Sequence, residues 1–77
     1  MSGRGIWISG GSSGIGAAAV RKFAGAGDRV AFTYLHSEAE ARALAAETGA
    51  IAIRADAADS GQVNRARDEI LNRFGRI

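Results

Sequence analysis

The chain has 77 residues, is 47% hydrophobic and 23% charged, and carries a formal net charge of +2. A chain of that length makes one small globular domain that buries only about 60–65% of its unfolded surface. Its ten basic residues are scattered among eight acids, without the stripe a nucleic-acid binder needs, and the lack of cysteine excludes disulfides, thiolate catalysis and cysteine-based zinc sites.

No apolar run approaches membrane-spanning length. Met1-Ser2-Gly3-Arg4-Gly5 leads straight into a strand-like segment with no signal-peptide architecture, so no membrane partner and a cytoplasmic location are expected.

Gly5 to Ser9 reads as a first strand. The run is rich in Ile and Trp without strict alternation, which suits a strand covered on both faces. A helix is expected from about Gly14. Ile15, Ala19, Phe23 and Ala26 fall at helical spacing as its buried positions, with Ala18 and Val20 alongside. Gly25 and Gly27 close it, Gly27 in the left-handed conformation past a helix end. Val30 to Tyr34 is the second strand. Ser37 then caps a helix from about Glu38 to Thr48, and Glu40 completes a capping-box spacing in which each side chain satisfies an unpaired backbone N–H. Glu38 and Arg42 sit one turn apart, a pairing that contributes a few tenths of a kcal/mol. Gly49 ends this helix.

Ala50 to Arg54 is the third strand. Asp59 or Ser60 caps the third helix, and Asp59 with Gln62 gives a second capping-box spacing. Val63, Ala66, Ile70, Leu71 and Phe74 form its buried stripe. Gly75 ends it, leaving Arg76 and Ile77 where a fourth strand would begin. Strands alternating with helices imply right-handed crossovers and a parallel sheet. The expected fold is α/β, with three parallel strands in the order 3-2-1, two helices on one face and the third on the other. That is half of a Rossmann-type doubly wound fold, with residues 1–77 as one unit.

Between the first strand and first helix lies Ser9-Gly10-Gly11-Ser12-Ser13-Gly14-Ile15-Gly16. A phosphate needs backbone N–H groups pointed at it and no side chain in the way; a helix N-terminus behind glycines supplies both. Four glycines and three serines at one junction exceed what a structural turn needs. Gly14-x-Gly16-x-x-Ala19 also fits the G-x-G-x-x-G/A pattern, although Gly14 lies several residues past the strand. The Walker loop does not fit. Gly11 and Gly16 are correctly spaced for it, but Ala17 and Ala18 replace the required Lys and Ser/Thr.

Gly10-x-x-x-Gly14-x-Gly16 after a short apolar strand resembles the cofactor loop of short-chain dehydrogenase/reductases, with Ser9 where the family usually has Thr. The resemblance extends over essentially the whole chain. Gly25-Ala26-Gly27-Asp28-Arg29-Val30 resembles the family's approach to its second strand, Arg54-Ala55-Asp56 the end of its third, and Phe74-Gly75-Arg76-Ile77 the segment before its fourth. It implies a dinucleotide cofactor held by Gly10, Ser12, Ser13, Gly14, Ile15 and Gly16, with Asp56 and Ala57 near the adenine. Asp56 has a second reading, as the start of the turn after the third strand.

The residue ending the second strand selects the cofactor in such folds. An acid there accepts hydrogen bonds from the ribose 2′-hydroxyl of NAD and repels the 2′-phosphate of NADP. Tyr34 holds that position, and the nearest acid, Glu38, lies in the next helix, so NADP is expected over NAD. NADP-preferring relatives often carry an Arg directly after the strand or a basic residue before the middle glycine; here these are Leu35 and Ser13. His36 and Ser37 remain as 2′-phosphate ligands. His36 reads equally as an exposed loop histidine, and Ser37 is first a helix cap.

The family's proton-transferring Tyr with a Lys four residues on, its substrate-orienting Ser and its Asn-Asn-Ala-Gly run have no counterpart here. The one Tyr is Tyr34, followed four later by Glu38, and the one Lys is Lys22. No residue is carried over as catalytic. One His and no Cys leave no metal spacing and no serine-hydrolase arrangement. The expectation is the NADP(H)-binding N-terminal portion of a carbonyl–alcohol oxidoreductase, inactive by itself. The alternative is a self-associating α/β scaffold without a working cofactor site, homo-oligomeric through a first strand whose Ile6, Trp7 and Ile8 form an exposed edge.

Overall fold

The computed structural model describes residues 4–10 and 14–75. Strands and helices alternate strictly: β1 (Gly5–Ser9), α1 (Gly14–Gly25), β2 (Arg29–Tyr34), α2 (Glu38–Thr48), β3 (Ile51–Arg54) and α3 (Ser60–Phe74). The sheet is parallel with the order β1-β2-β3, which is the expected 3-2-1 read from the other edge. Gly5 to Ser9 lie opposite Arg29 to Thr33, and Ala31 to Tyr34 lie opposite Ile51 to Arg54. The pairing runs on past the strand ends: the Gly10 N–H donates to the Thr33 carbonyl at 2.9 Å, and the Ala55 N–H to the Tyr34 carbonyl at 2.8 Å.

Alternation along β2 sorts the core into two layers. Val30, Phe32 and Tyr34 pack with Ala17 and Val20 of α1 and with Ala41 and Leu44 of α2. Ala31 packs with Ile70 and Phe74 of α3, joined by Trp7, Ile51 and Ile53. The first two helices therefore share one face and α3 covers the other, as the sequence implies.

Three expectations fail in detail. The buried face of α1 is Ala17 and Val20, flanked by Phe23 and Ala24, whereas Ile15 is 91% exposed and Ala26 is exposed. Ile15 and Ala17 are about 200° apart around a helix and cannot share a face. Small residues let α1 approach the sheet closely, and Ile15 is turned away. On α3, Ala66, Ile70 and Phe74 are buried, but Leu71 is 37% exposed, about 100° round from Ile70. The capping box at Ser37 does not form. Ser37 sits at φ 63°, ψ 47° and makes no side-chain cap bond, because capping geometry requires an extended backbone at that residue. The Glu38–Arg42 pair does form, at 2.8 Å.

The second capping box forms in modified shape. Asp59 Oδ1 accepts from the N–H groups of Gly61 and Gln62 at 2.9 and 3.2 Å. Asp59's own N–H donates to the Asp56 carbonyl, so Gln62 Oε1 reaches one turn further and accepts from the Asp56 N–H at 2.9 Å. At the opposite end of the sheet, α1 closes with paired bonds from Gly27 N–H to the Ala24 carbonyl and from Asp28 N–H to the Phe23 carbonyl. This is a Schellman arrangement with Gly27 at φ 91°. Asp28 Oδ1 then accepts from the Arg4 N–H at 3.0 Å while the Arg29 N–H donates to the Arg4 carbonyl at 2.8 Å, clamping the start of β1 to β2.

Two outcomes follow from this packing. Ile70, fully buried, is the central anchor of α3; Ile70→Ala is expected to lower unfolding free energy by about 2–5 kcal/mol in urea titrations. The Arg4 backbone N–H holds the Asp28 carboxyl below its ordinary range, and the Gln62 N–H does the same for Asp59. A carboxyl with a depressed folded pKa stabilises above its unfolded value, about 3.9, and loses that contribution as pH falls towards the folded value. Thermal melts are therefore expected to be flat from about pH 5 to 7 and to fall below about pH 4, less steeply in Asp28→Asn.

Candidate functional site

Ligands in open parallel sheets bind beyond the C-terminal ends of the strands. Here that end gathers Ser9 and Gly10 at the end of β1, the segment from Tyr34 to Ser37 at the end of β2, and Ala55 to Asp59 after β3. Gly10 has φ +70° and Gly14, where α1 begins, has φ +58°. A Cβ at either would meet nothing within 4 Å. Neither glycine is needed for internal packing; each is needed for its left-handed backbone, and the space over it is open. Ser12 and Ser13 lie outside the described residues.

The Gly10 N–H is spent on the sheet, so an anion here must be held by later donors. The N–H groups of Gly14, Ile15 and Gly16 open α1 and have no acceptor within the helix. No acidic side chain occupies its first turn. With the partial positive charge of a helix start, these donors fit a phosphate. Ile15 takes part through its backbone; its exposed side chain stands beside the turn.

The other candidates separate. Tyr34 is 8% exposed, its ring packed in the α1–α2 core, so it supplies the absence of a carboxylate at the end of β2. His36 is exposed. Ser37 keeps its hydroxyl out of any cap bond. Asp56 is half-buried, and its Oδ1 accepts from the Ala58 N–H at 2.9 Å, which realises the turn-starting reading. Its second carboxylate oxygen makes no protein hydrogen bond among the described residues. Ala57 is exposed and lines a cavity of about 390 Å³ with Trp7, Ser9, Thr33, Ala55 and Val63.

Trp7, Thr33 and Val63 escape a motif-based reading because they lie inside regular elements. A signal was present nonetheless: a lone Trp in a short strand carries an N–H that needs a partner. Among the described residues, no group of His, Cys, Asp and Glu could hold a metal ion, and no helix is long and apolar enough to cross a membrane.

A parallel sheet whose first strand ends at a left-handed Gly10 and whose first helix begins at a left-handed Gly14, with no acid in its first turn, defines a Rossmann-type α/β unit. The chain belongs to the short-chain dehydrogenase/reductase family: the family model described as enoyl-(acyl carrier protein) reductase matches residues 10–77. The cyclic-di-GMP-binding biofilm dispersal mediator protein of Escherichia coli (strain K12) is 50% identical over 63 residues, covering 82% of this chain and 27% of that protein. The short-chain dehydrogenase/reductase from Serratia marcescens BCRC 10948 is 38% identical with a TM-score of 0.91, covering 96% of this chain and 32% of that one. A blue fluorescent protein from a metagenomic library, solved in complex with NADPH, is 40% identical with a TM-score of 0.90, covering 96% and 33%. The chain thus spans about a third or less of the length of these relatives.

Ser37→Ala is expected to change unfolding free energy by less than about 0.5 kcal/mol, where removal of a working cap costs about 1 kcal/mol. Denaturant titration checks this, and a larger loss would show that the hydroxyl caps α2 after all.

Proposed function

We propose that residues 1–77 form the NADP(H)-binding portion of a reductase that interconverts a carbonyl and an alcohol. One observation carries this reading: the left-handed glycines Gly10 and Gly14 at the ligand end of the sheet, where the first-turn N–H groups of α1 have no acceptor within the helix. In this assignment the N–H groups of Gly14, Ile15 and Gly16 hold the pyrophosphate, with Gly10, Ser12 and Ser13 as further cofactor contacts. The free carboxylate oxygen of Asp56, with Ala57, takes the adenine side. His36 and the uncommitted hydroxyl of Ser37 receive the 2′-phosphate, beside a strand end that carries no acid.

When bound, the nicotinamide supplies hydride chemistry. The residues of this chain bind and orient, and none is assigned a proton transfer. Two relatives bring nucleotide ligands to mind by name, NADPH and cyclic-di-GMP, both built of purine, ribose and phosphate. NADPH is preferred because a pyrophosphate matches the donors that a glycine turn and helix start present.

A second reading rests on β1, which is paired only to β2 among the described residues. Two copies joined along that edge would form one continuous sheet.

NADPH is expected to bind more tightly than NADH in calorimetric titrations; tighter NADH binding overturns the NADP assignment. Gly14→Val places a β-branched residue at φ +58° over the phosphate seat and is expected to weaken NADPH at least about tenfold. Light scattering on the same variant separates the readings, since self-association through β1 would survive the loss of binding.

A further inference from the structure

We propose that the groove between the outer edge of β3 and helix α3 is a docking site for an extended acidic segment of a partner protein, which adds a strand to β3 and sets carboxylates against Arg54 and Arg65. This goes beyond the dinucleotide reading, which places nothing on that edge. With the strand order β1-β2-β3, one side of β3 is unpaired among the described residues. In the parallel register Arg54 lies opposite Tyr34, and the Ala55 N–H donates to the Tyr34 carbonyl at 2.8 Å. Backbone groups alternate in direction along a strand, so Ile53 and Ala55 turn theirs to β2, and Ala52 and Arg54 turn theirs outward. Each of those two residues offers a donor and an acceptor to an incoming strand.

The charges beside this edge select the strand. A groove of about 300 Å³ runs between β3 and α3, lined by Ile53, Arg54, Gln62, Arg65, Ala66 and Glu69. Arg54 and Arg65 are exposed, and neither forms an ion pair among the described residues. The acids of α3 and its cap are engaged elsewhere. Glu69 pairs with Arg73 at 3.6 Å, and Asp59 accepts from the Gly61 and Gln62 N–H groups and from the Gln62 side chain. Two guanidiniums without a carboxylate therefore border the groove, one from the sheet and one from the helix. An extended strand carries alternate side chains to one face, so a segment alternating acids with β-branched residues turns all its carboxylates to the groove. A carboxylate meets a guanidinium through two parallel bonds. The strand Ile51–Arg54 itself holds no acid, so a second copy paired edge to edge brings no carboxylate from its own β3. A basic strand is repelled, because like charges set against each other at an interface are costly. Main-chain bonds supply the affinity, and the arginines choose the partner.

The probe is a capped pentapeptide alternating Glu and Val, titrated into the ¹⁵N-labelled chain, with a peptide alternating Lys and Val as control. The Glu peptide is expected to bind saturably, more weakly as salt is added, and to move the amides of Ala52 and Arg54 further than that of Ile53, which faces β2. Arg54→Glu combined with Arg65→Glu is expected to weaken the Glu peptide at least about tenfold and to admit the Lys peptide in its place. Should that double variant fold poorly by circular dichroism, Arg65→Glu alone is expected to weaken the Glu peptide about threefold. Equal binding of the two peptides by the wild type, no binding of the Glu peptide, or Ala52 and Arg54 amides unmoved at saturation overturns the proposal. So does a dimer of the chain, seen by light scattering, that protects those two amides from exchange without any peptide.

Discussion

The burial of β2 is the constraint on which the rest of the structure depends. Among the described residues it is the one strand hydrogen-bonded along both edges, and every residue from Val30 to Tyr34 is buried. Its odd and even positions must find cover on opposite sides, which forces α1 and α2 to one face and α3 to the other. Phe32, with no exposed surface, contributes about 1.5–3 kcal/mol by burial alone. In a chain this small, a few such residues decide whether it folds.

A fully committed β2 also divides the molecule into two ends with different chemistry. At the end where β1 and β2 begin, the interactions are structural. The Schellman closure at Gly27, the Arg4–Asp28 clamp and the Arg29 guanidinium 5.3 Å over the Phe74 ring tie α1, β1 and α3 to the start of β2. At the other end, among the described residues, the Ser37 hydroxyl makes no cap bond, one oxygen of Asp56 makes no hydrogen bond, and the first-turn N–H groups of α1 have no acceptor within the helix. Ser37 is also the only non-glycine residue at positive φ among the described residues. Backbone strain of this kind clusters where a ligand is handled, and here it falls at the strand end that the proposed function assigns to the 2′-phosphate.

The architecture was legible because each boundary carries its own local chemistry. Gly27 and Gly49 stop helices by adopting φ 91° and φ 77°, and Asp59 starts one by accepting two backbone N–H groups. The end of α2 at Thr48 could be read directly from such a signal, the left-handed Gly49 that follows it. Other features depend on tertiary packing. Helix α1 is mostly glycine and alanine with apolar residues all round, so periodicity gives little contrast, and close packing against the sheet settles its rotation in favour of Ala17 and Val20 over Ile15. At Ser37 the residue types of a capping box are present, yet the path from the end of β2 imposes a left-handed backbone that the box cannot use. On the site, the glycine turn announced itself by residue type.

The central claim is that the start of α1 holds the cofactor's phosphates through backbone N–H groups. The most direct measurement is an amide ¹H–¹⁵N spectrum of the labelled chain titrated with NADPH. The account predicts that the resonances of Gly14, Ile15 and Gly16 move furthest and downfield, as expected of N–H groups that gain a charged acceptor. Saturation by NADPH with those three amides unmoved, and the largest shifts elsewhere, would contradict it.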